Sequence, residues 1–222
     1  MTAESMLTGR ASLITGLSAA LLGLAGVACN HGRLSSGTAV ASSEQASICT
    51  GEKTPPDRGP PPPRPTGRYF RPGSAQRRNI REPGMPGVWL NLSGRVNDED
   101  CKPVARALLD FFQADSHGKY DRRELRLHGH QFTDGQGRYV LRTIVPLNYL
   151  NRPPHIHVKV QAPDGPVLGT QLFFPATLRA YGMRVGRLNA HARSFNPALA
   201  VHLGPRRGNR YSARFDFVIA VA

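Results

Sequence analysis

Acidic side chains are scarce in this 222-residue chain: Asp and Glu number 15 against 29 Lys and Arg, for a formal net charge of +14 carried almost entirely by arginine. So basic a balance admits nucleic acid, an acidic surface or anionic small molecules as partners. What is missing narrows that list. The arginines are scattered in ones and twos, with neither a basic helix nor an aromatic-flanked recognition motif, so nucleic acid is disfavoured. No internal repeat is evident, and the length suits one good-sized domain with extensions. Cysteine is limited to three residues, Cys49, Cys101 and Cys29.

Long apolar runs are also lacking after the first. Residues 1–28 carry Arg10, the apolar stretch 11–28 and the small residues Gly26-Val27-Ala28 before Cys29, the layout of an export signal. The run is short and broken by Gly and Ser for a membrane span, which leaves a single anchor as the weaker alternative. Cys29 directly after the small residues suits a lipoprotein cleaved before the cysteine and held to a bacterial envelope by lipid. Gly26, where leucine is usual, leaves free secretion open. With Cys29 cleaved or lipidated, Cys49 and Cys101 form an even pair in an oxidising compartment, where a disulfide persists; two free thiols are the alternative.

Residues 29–66 turn to Ser, Gly and Ala and then to Pro60-Pro61-Pro62-Pro63, a composition that reads as a tether, with order beginning near Tyr69-Phe70. The remainder, 67–222, is a succession of short apolar runs and turns. Strands are expected over 88–96, 107–113, 139–145, 155–161 and 170–174, with closing strands over 198–203 and 213–221. Residues 175–197 look irregular, and no segment reads convincingly as helix. The expectation is an all-β fold, a β-sandwich of short, mostly antiparallel strands with long irregular loops.

The stretch Arg152-Pro153-Pro154-His155-Ile156-His157-Val158-Lys159-Val160 carries the chemistry. Alternate side chains on a strand share a face, so His155 and His157, roughly 7 Å apart by strand rise, can converge on one cation. Tyr120 and Tyr149 are candidates to complete the set. A neutral phenol, with its pKa near 10, is a poor ligand, but a hard trivalent cation can deprotonate it on binding. Two phenolates and two imidazoles would leave a ferric centre singly positive with open positions, which suits an acidic diol. His128-Gly129-His130 is a second H-x-H, but the central glycine weakens strand placement and no suitably spaced carboxylate or tyrosine accompanies it. His117 is expected to be exposed and Tyr139 to be core.

These residues resemble the intradiol ring-cleavage dioxygenases, the non-haem ferric family of catechol and protocatechuate enzymes. Phe112-Gln113-Ala114-Asp115-Ser116-His117-Gly118-Lys119-Tyr120-Asp121 is similar to its W-Q-A-D-x-x-G-x-Y-D motif, with Phe112 in place of tryptophan. Gly67-Arg68-Tyr69-Phe70, Ser93-Gly94-Arg95-Val96, the hairpin Thr133–Tyr139 and Thr170-Gln171-Leu172-Phe173-Phe174-Pro175 extend the likeness over 67–175. The resemblance implies Fe(III) held by Tyr120, Tyr149, His155 and His157, with Tyr149 leaving as a catechol-type diol chelates. Arg152 would stabilise negative charge on the substrate and Gln171 would support that arginine. The reaction would use O2, break the carbon–carbon bond between the two oxygens and need no organic cofactor. Leu147-Asn148 replaces a glycine-containing approach to Tyr149, and only five residues separate Tyr149 from His155, as in short exported members. Cys49 and Cys101 resemble a pair found in exported relatives, which supports the disulfide. A homo-oligomer is compatible with all of this.

Three rivals stay open. The pattern around Gly94-Arg95-Val96 and Thr133–Tyr139 also resembles transthyretin-like binding modules, and fold alone does not separate the two. A dioxygenase-like protein that binds metal without turnover is the second. A zinc hydrolase is more distant, since paired tyrosines are unusual zinc ligands.

Overall fold

The computed structural model describes residues 49–56, 73–121 and 123–221. The expected export signal over 1–28, Cys29, most of the expected tether and Tyr69-Phe70 lie outside the described residues.

Strand alternation builds two sheets. The first has the order β4-β1-β8-β7, from β1 (Trp89–Asn97), β4 (Arg138–Ile144), β7 (His202–Leu203) and β8 (Arg210–Arg214), with β9 (Phe217–Val218) also pairing with β1. The second has the order β3-β2-β5-β6, from β2 (Leu108–Gln113), β3 (His128–Phe132), β5 (His155–Gln161) and β6 (Val167–Phe173). All pairings are antiparallel except those of β8 and β9 with β1. Leu90, Leu92 and Val96 from one sheet meet Leu109, Phe111, Ile156 and Val158 from the other in a single core. The expected all-β sandwich is what forms. Gln113 ties its layers together from within: Thr143 Oγ1 donates to Gln113 Oε1 at 2.9 Å, and Gln113 Nε2 donates to the Ile144 carbonyl at 2.9 Å.

Four local expectations need correction. The stretch 175–197 contains a helix, α1 (Val185–His191). It has no side-chain cap and is held by tertiary contacts instead, with Val185 buried and Asn189 Nδ2 donating to the Phe174 carbonyl at 3.0 Å. His128-Gly129-His130 lies inside β3. Glycine is needed there because a Cβ would stand 2.7 Å from Ile80 Cγ2 and 2.9 Å from Arg77 Cγ, where the preceding segment crosses the strand. The run 198–203 divides into a 3-10 turn at Pro197–Leu199 and the two residues of β7, and 213–221 supplies the end of β8 and then β9.

The fourth concerns the tether, because residues 49–56 are bound to the sandwich. Thr54 N donates to the Val218 carbonyl at 2.9 Å, and Val218 N donates to Thr54 Oγ1 at 2.8 Å. Thr170 Oγ1 donates to the Pro55 carbonyl at 2.7 Å. The Cys49–Cys101 disulfide forms, with Cα atoms 5.8 Å apart. Composition alone misses a segment fixed by one covalent bond and three hydrogen bonds.

Candidate metal centre

Ile156, Val158 and Val160 fill the core, so His155 and His157 face the outer side of the second sheet. Register places His128, Phe112, His157 and Gln171 in one row across β3, β2, β5 and β6. Tyr120 reaches the same face from the turn after β2. That turn is folded by Asp115, whose Oδ1 accepts from the backbone N–H of His117 at 2.8 Å and of Lys119 at 2.9 Å. After Tyr120, Asp121 folds the chain again by accepting from the N–H groups of Arg123, Glu124 and Arg126. Its burial alone would raise the carboxyl pKa, but these bonds and the Arg126 side chain hold it well below the usual range.

Three donor atoms converge. Tyr120 Oη lies 3.0 Å from His155 Nε2 and 3.1 Å from His157 Nε2, and the two Nε2 atoms are 3.2 Å apart. His155 Nδ1 sits 2.7 Å from the Pro153 carbonyl, which can only accept; Nδ1 therefore carries the proton and Nε2 offers its lone pair. His157 is kept neutral by burial and by the nearby His155, Arg152 and His128, its pKa pressed well below the ordinary value. Two imidazole lone pairs and a phenol oxygen, converging with few protons among them, are a donor set that suits a cation. Adjacent ligands on one ion at about 2.1 Å stand about 3 Å apart, so the spacing fits. Among the described residues no cluster of three His, Cys, Asp or Glu could hold a metal, so the convergence depends on tyrosine.

The other expected residues are close by. Tyr149 packs edge-on against Tyr120, ring centroids 5.4 Å apart. Arg152 Nη2 donates to Gln171 Oε1 at 2.7 Å, and Gln171 is the cross-strand neighbour of His157. The second H-x-H does not join them: the Phe112 ring stands between His128 and His157, 5.4 Å from one and 4.4 Å from the other. His117 is exposed and Tyr139 is buried, as expected.

Two features of the site are not legible in the sequence. Phe112 stacks on the His157 imidazole with the planes 3° apart, so the residue in the tryptophan position is a platform for a candidate ligand. A cavity of about 590 Å³ opens beside Tyr120, bounded by Pro83, Met85, Lys119, Arg123 and Leu127 among others. The register of β2 against β5 is the signal that could have revealed the first. Nothing local in the sequence indicates the second.

Comparison with known proteins points to dioxygenases. A family model described as "Dioxygenase" matches residues 68–151, which takes in Tyr120 and Tyr149 and stops just before Arg152. The chain is 33% identical over 116 residues to catechol 1,2-dioxygenase 2 of Acinetobacter lwoffii, covering 39% of this chain and 40% of that one. It is 35% identical over 117 residues to the protocatechuate 3,4-dioxygenase beta chain of Burkholderia cepacia, covering 44% and 50%. It therefore spans half or less of the length of either relative. Among solved structures, the dioxygenase domain of a dioxygenase–carbohydrate-binding protein fusion from Streptomyces sp. SirexAA-E superposes with a TM-score of 0.65 and 42% identity, over 77% of this chain and 100% of that one. The chain belongs to the intradiol ring-cleavage dioxygenase family.

Proposed function

We propose that this protein is an exported, iron-dependent intradiol dioxygenase that opens a catechol-type ring between its two hydroxylated carbons. The observation that carries this reading is the convergence of Tyr120 Oη, His155 Nε2 and His157 Nε2 within 3.0–3.2 Å beside the Arg152–Gln171 hydrogen bond. Tyr120, Tyr149, His155 and His157 would hold the ion. A bound ferric ion would supply Lewis-acid chelation that favours deprotonation of the diol, and the resulting dianion has a ring electron-rich enough to meet O2.

This chain's own residues supply the rest. As phenolates, Tyr120 and Tyr149 would offset two of the three positive charges of a ferric ion, and the Pro153 carbonyl fixes the His155 tautomer. Tyr149 Oη takes up a proton from a diol hydroxyl as substrate binds. The Arg152 guanidinium, fixed by Gln171, stabilises negative charge on the substrate oxygens. The cavity of about 590 Å³ is lined by Tyr120 but not by Tyr149, Arg152, His155 or His157, so it adjoins the donor set on one side; its volume lies within the range of small-ligand sites, roughly 300–1,000 Å³. The Cys49–Cys101 disulfide supports an oxidising location outside the cytoplasm. The mass of the mature N-terminus decides between a lipid anchor at Cys29 and free secretion.

The test is the visible spectrum of the purified protein, followed by turnover of catechol. Tyrosinate-to-iron charge transfer gives a red-brown colour that Tyr120→Phe and His157→Ala abolish. A colourless, iron-free protein without ring cleavage refutes the reading.

A further inference from the structure

The outer face of the first sheet, on the opposite side of the sandwich from Tyr120, is strongly and unevenly charged. Arg95, Arg138, Arg142, Arg210 and Arg214 face outward from β1, β4 and β8, and no acidic residue of these strands accompanies them. At one end flanking carboxylates answer the charge: Arg138 pairs with Asp134 at 2.8 Å and Arg214 with Asp216 at 3.3 Å. At the other end, among the described residues, no ion pair reaches Arg142, Arg210, Arg81 or Arg207.

That end is built around Trp89, 40% exposed and the cross-strand partner of Arg210. The Arg81 guanidinium carbon lies 4.4 Å from the indole centroid and that of Arg210 lies 5.2 Å away. The ring thus works as a rack that keeps two cations in place. Partial burial, then Arg210, then Arg142 all work against the charge on Arg81. An oxyanion placed among them relieves that repulsion, and guanidinium forks match carboxylates in bidentate fashion. The adjoining groove, about 340 Å³, also presents Asn91 and Ser212, side chains able to hydrogen-bond to hydroxyl groups, and Asn209, whose amide donates to the Gly87 carbonyl and accepts from Arg206.

We propose that this face docks a carboxylated polysaccharide, a polyuronate chain whose carboxylates seat on Arg81, Arg142 and Arg210 while its hydroxyls meet the groove's amides and serine. Charge complementarity selects an anionic partner, and the polar lining between the cations selects a hydroxyl-rich one. A strand face has no helix or ribbon to enter a duplex groove, and a single indole stacked on two guanidiniums is no ladder for bases. The groove takes a short stretch of polymer, so affinity accumulates along the chain.

Trp89 is the chain's single tryptophan, so its fluorescence reports on this face alone. Titrating the purified protein with polygalacturonate produces a saturable emission change that added salt weakens, and neutral dextran produces none. The Arg142→Gln/Arg210→Gln double variant weakens binding at least tenfold, with the melting temperature and catechol turnover close to wild type. Unchanged affinity in that variant, equal binding of dextran, equally tight binding of duplex DNA at matched charge, or no emission change at saturation overturns the proposal.

Discussion

Gly118 lies so close to Asn148 that a Cβ on the glycine would stand 2.6 Å from the Asn148 carbonyl oxygen. The turn that delivers Tyr120 therefore presses on the loop that delivers Tyr149, and Leu147 N fastens the two by donating to the Asp115 carbonyl at 3.0 Å. Gly118 has φ +74°, a left-handed conformation that costs an L-residue about 1 kcal/mol before any clash is counted. Gly118→Ala is expected to lower the melting temperature by at least a few degrees and to reduce the iron content of the purified protein. Wild-type iron content in that variant would show that Tyr149 is positioned by something other than this contact.

The Arg152–Gln171 hydrogen bond predicts a graded loss. Arg152→Met is expected to keep the visible band while ring opening falls about 10²–10³-fold, the usual consequence of removing a donor aimed at developing negative charge. Gln171→Ala, acting through Arg152, is expected to lose about 10–100-fold. Single-turnover rates at matched iron content check both. A rate in Arg152→Met equal to wild type removes the arginine from the chemistry.

The sandwich was legible because its signal is local. Val-rich and Leu-rich alternation marks β1, β4 and β5, and Asp134-Gly135-Gln136-Gly137 marks a turn. The His155–His157 pair follows from the same two-residue period. What stayed hidden depends on partners distant in sequence. β3 is a strand despite Gly129 because Ile80 and Arg77 occupy the space a side chain would take. α1 has seven residues and no cap, so neither its length nor its ends stand out. Residues 49–56 look like linker until Thr54 meets Val218 and Cys49 meets Cys101.

Phe112 predicts a spectroscopic effect separable from unfolding. Its stack on His157, with centroids 4.4 Å apart, contributes about 0.5–1.5 kcal/mol beyond area burial. Phe112→Leu preserves apolar packing and loses the stack; it is expected to shift the visible band at a small cost in melting temperature. Phe112→Ala should lose about 3–5 kcal/mol as a buried aromatic truncation. An unmoved band in Phe112→Leu would mean that the ring packs against His157 without orienting it.

The disulfide joins residues 52 apart, for which the chain-entropy estimate is about 4 kcal/mol. Cys49→Ser/Cys101→Ser is expected to melt about 10 °C lower, at 2–4 °C per kcal/mol for a domain of this size. Because Thr54 holds residues 49–56 to β9 independently, the double variant should still fold and bind iron. Failure to fold would show that the bond is needed to form the fold as well as to stabilise it.

Asp110 gives a pH test on a part of the outer face that the metal centre does not use. It accepts from Ser74 Oγ at 3.0 Å, and the same hydroxyl lies 3.1 Å from His130 Nδ1. Burial nevertheless raises its pKa above the ordinary carboxyl value, outweighing the lowering by Ser74, His130 and Lys159. A carboxyl with a raised folded pKa binds its proton more tightly in the native state than in the unfolded chain. Its stabilising contribution is therefore full below about pH 3.9 and is lost as pH rises through the folded value. Asp110→Asn removes that loss and keeps an oxygen for Ser74. The variant is expected to melt above wild type at pH 7 and to converge with it near pH 3.5. A variant that melts below wild type at pH 7 would mean that the Ser74, His130 and Lys159 interactions outweigh burial.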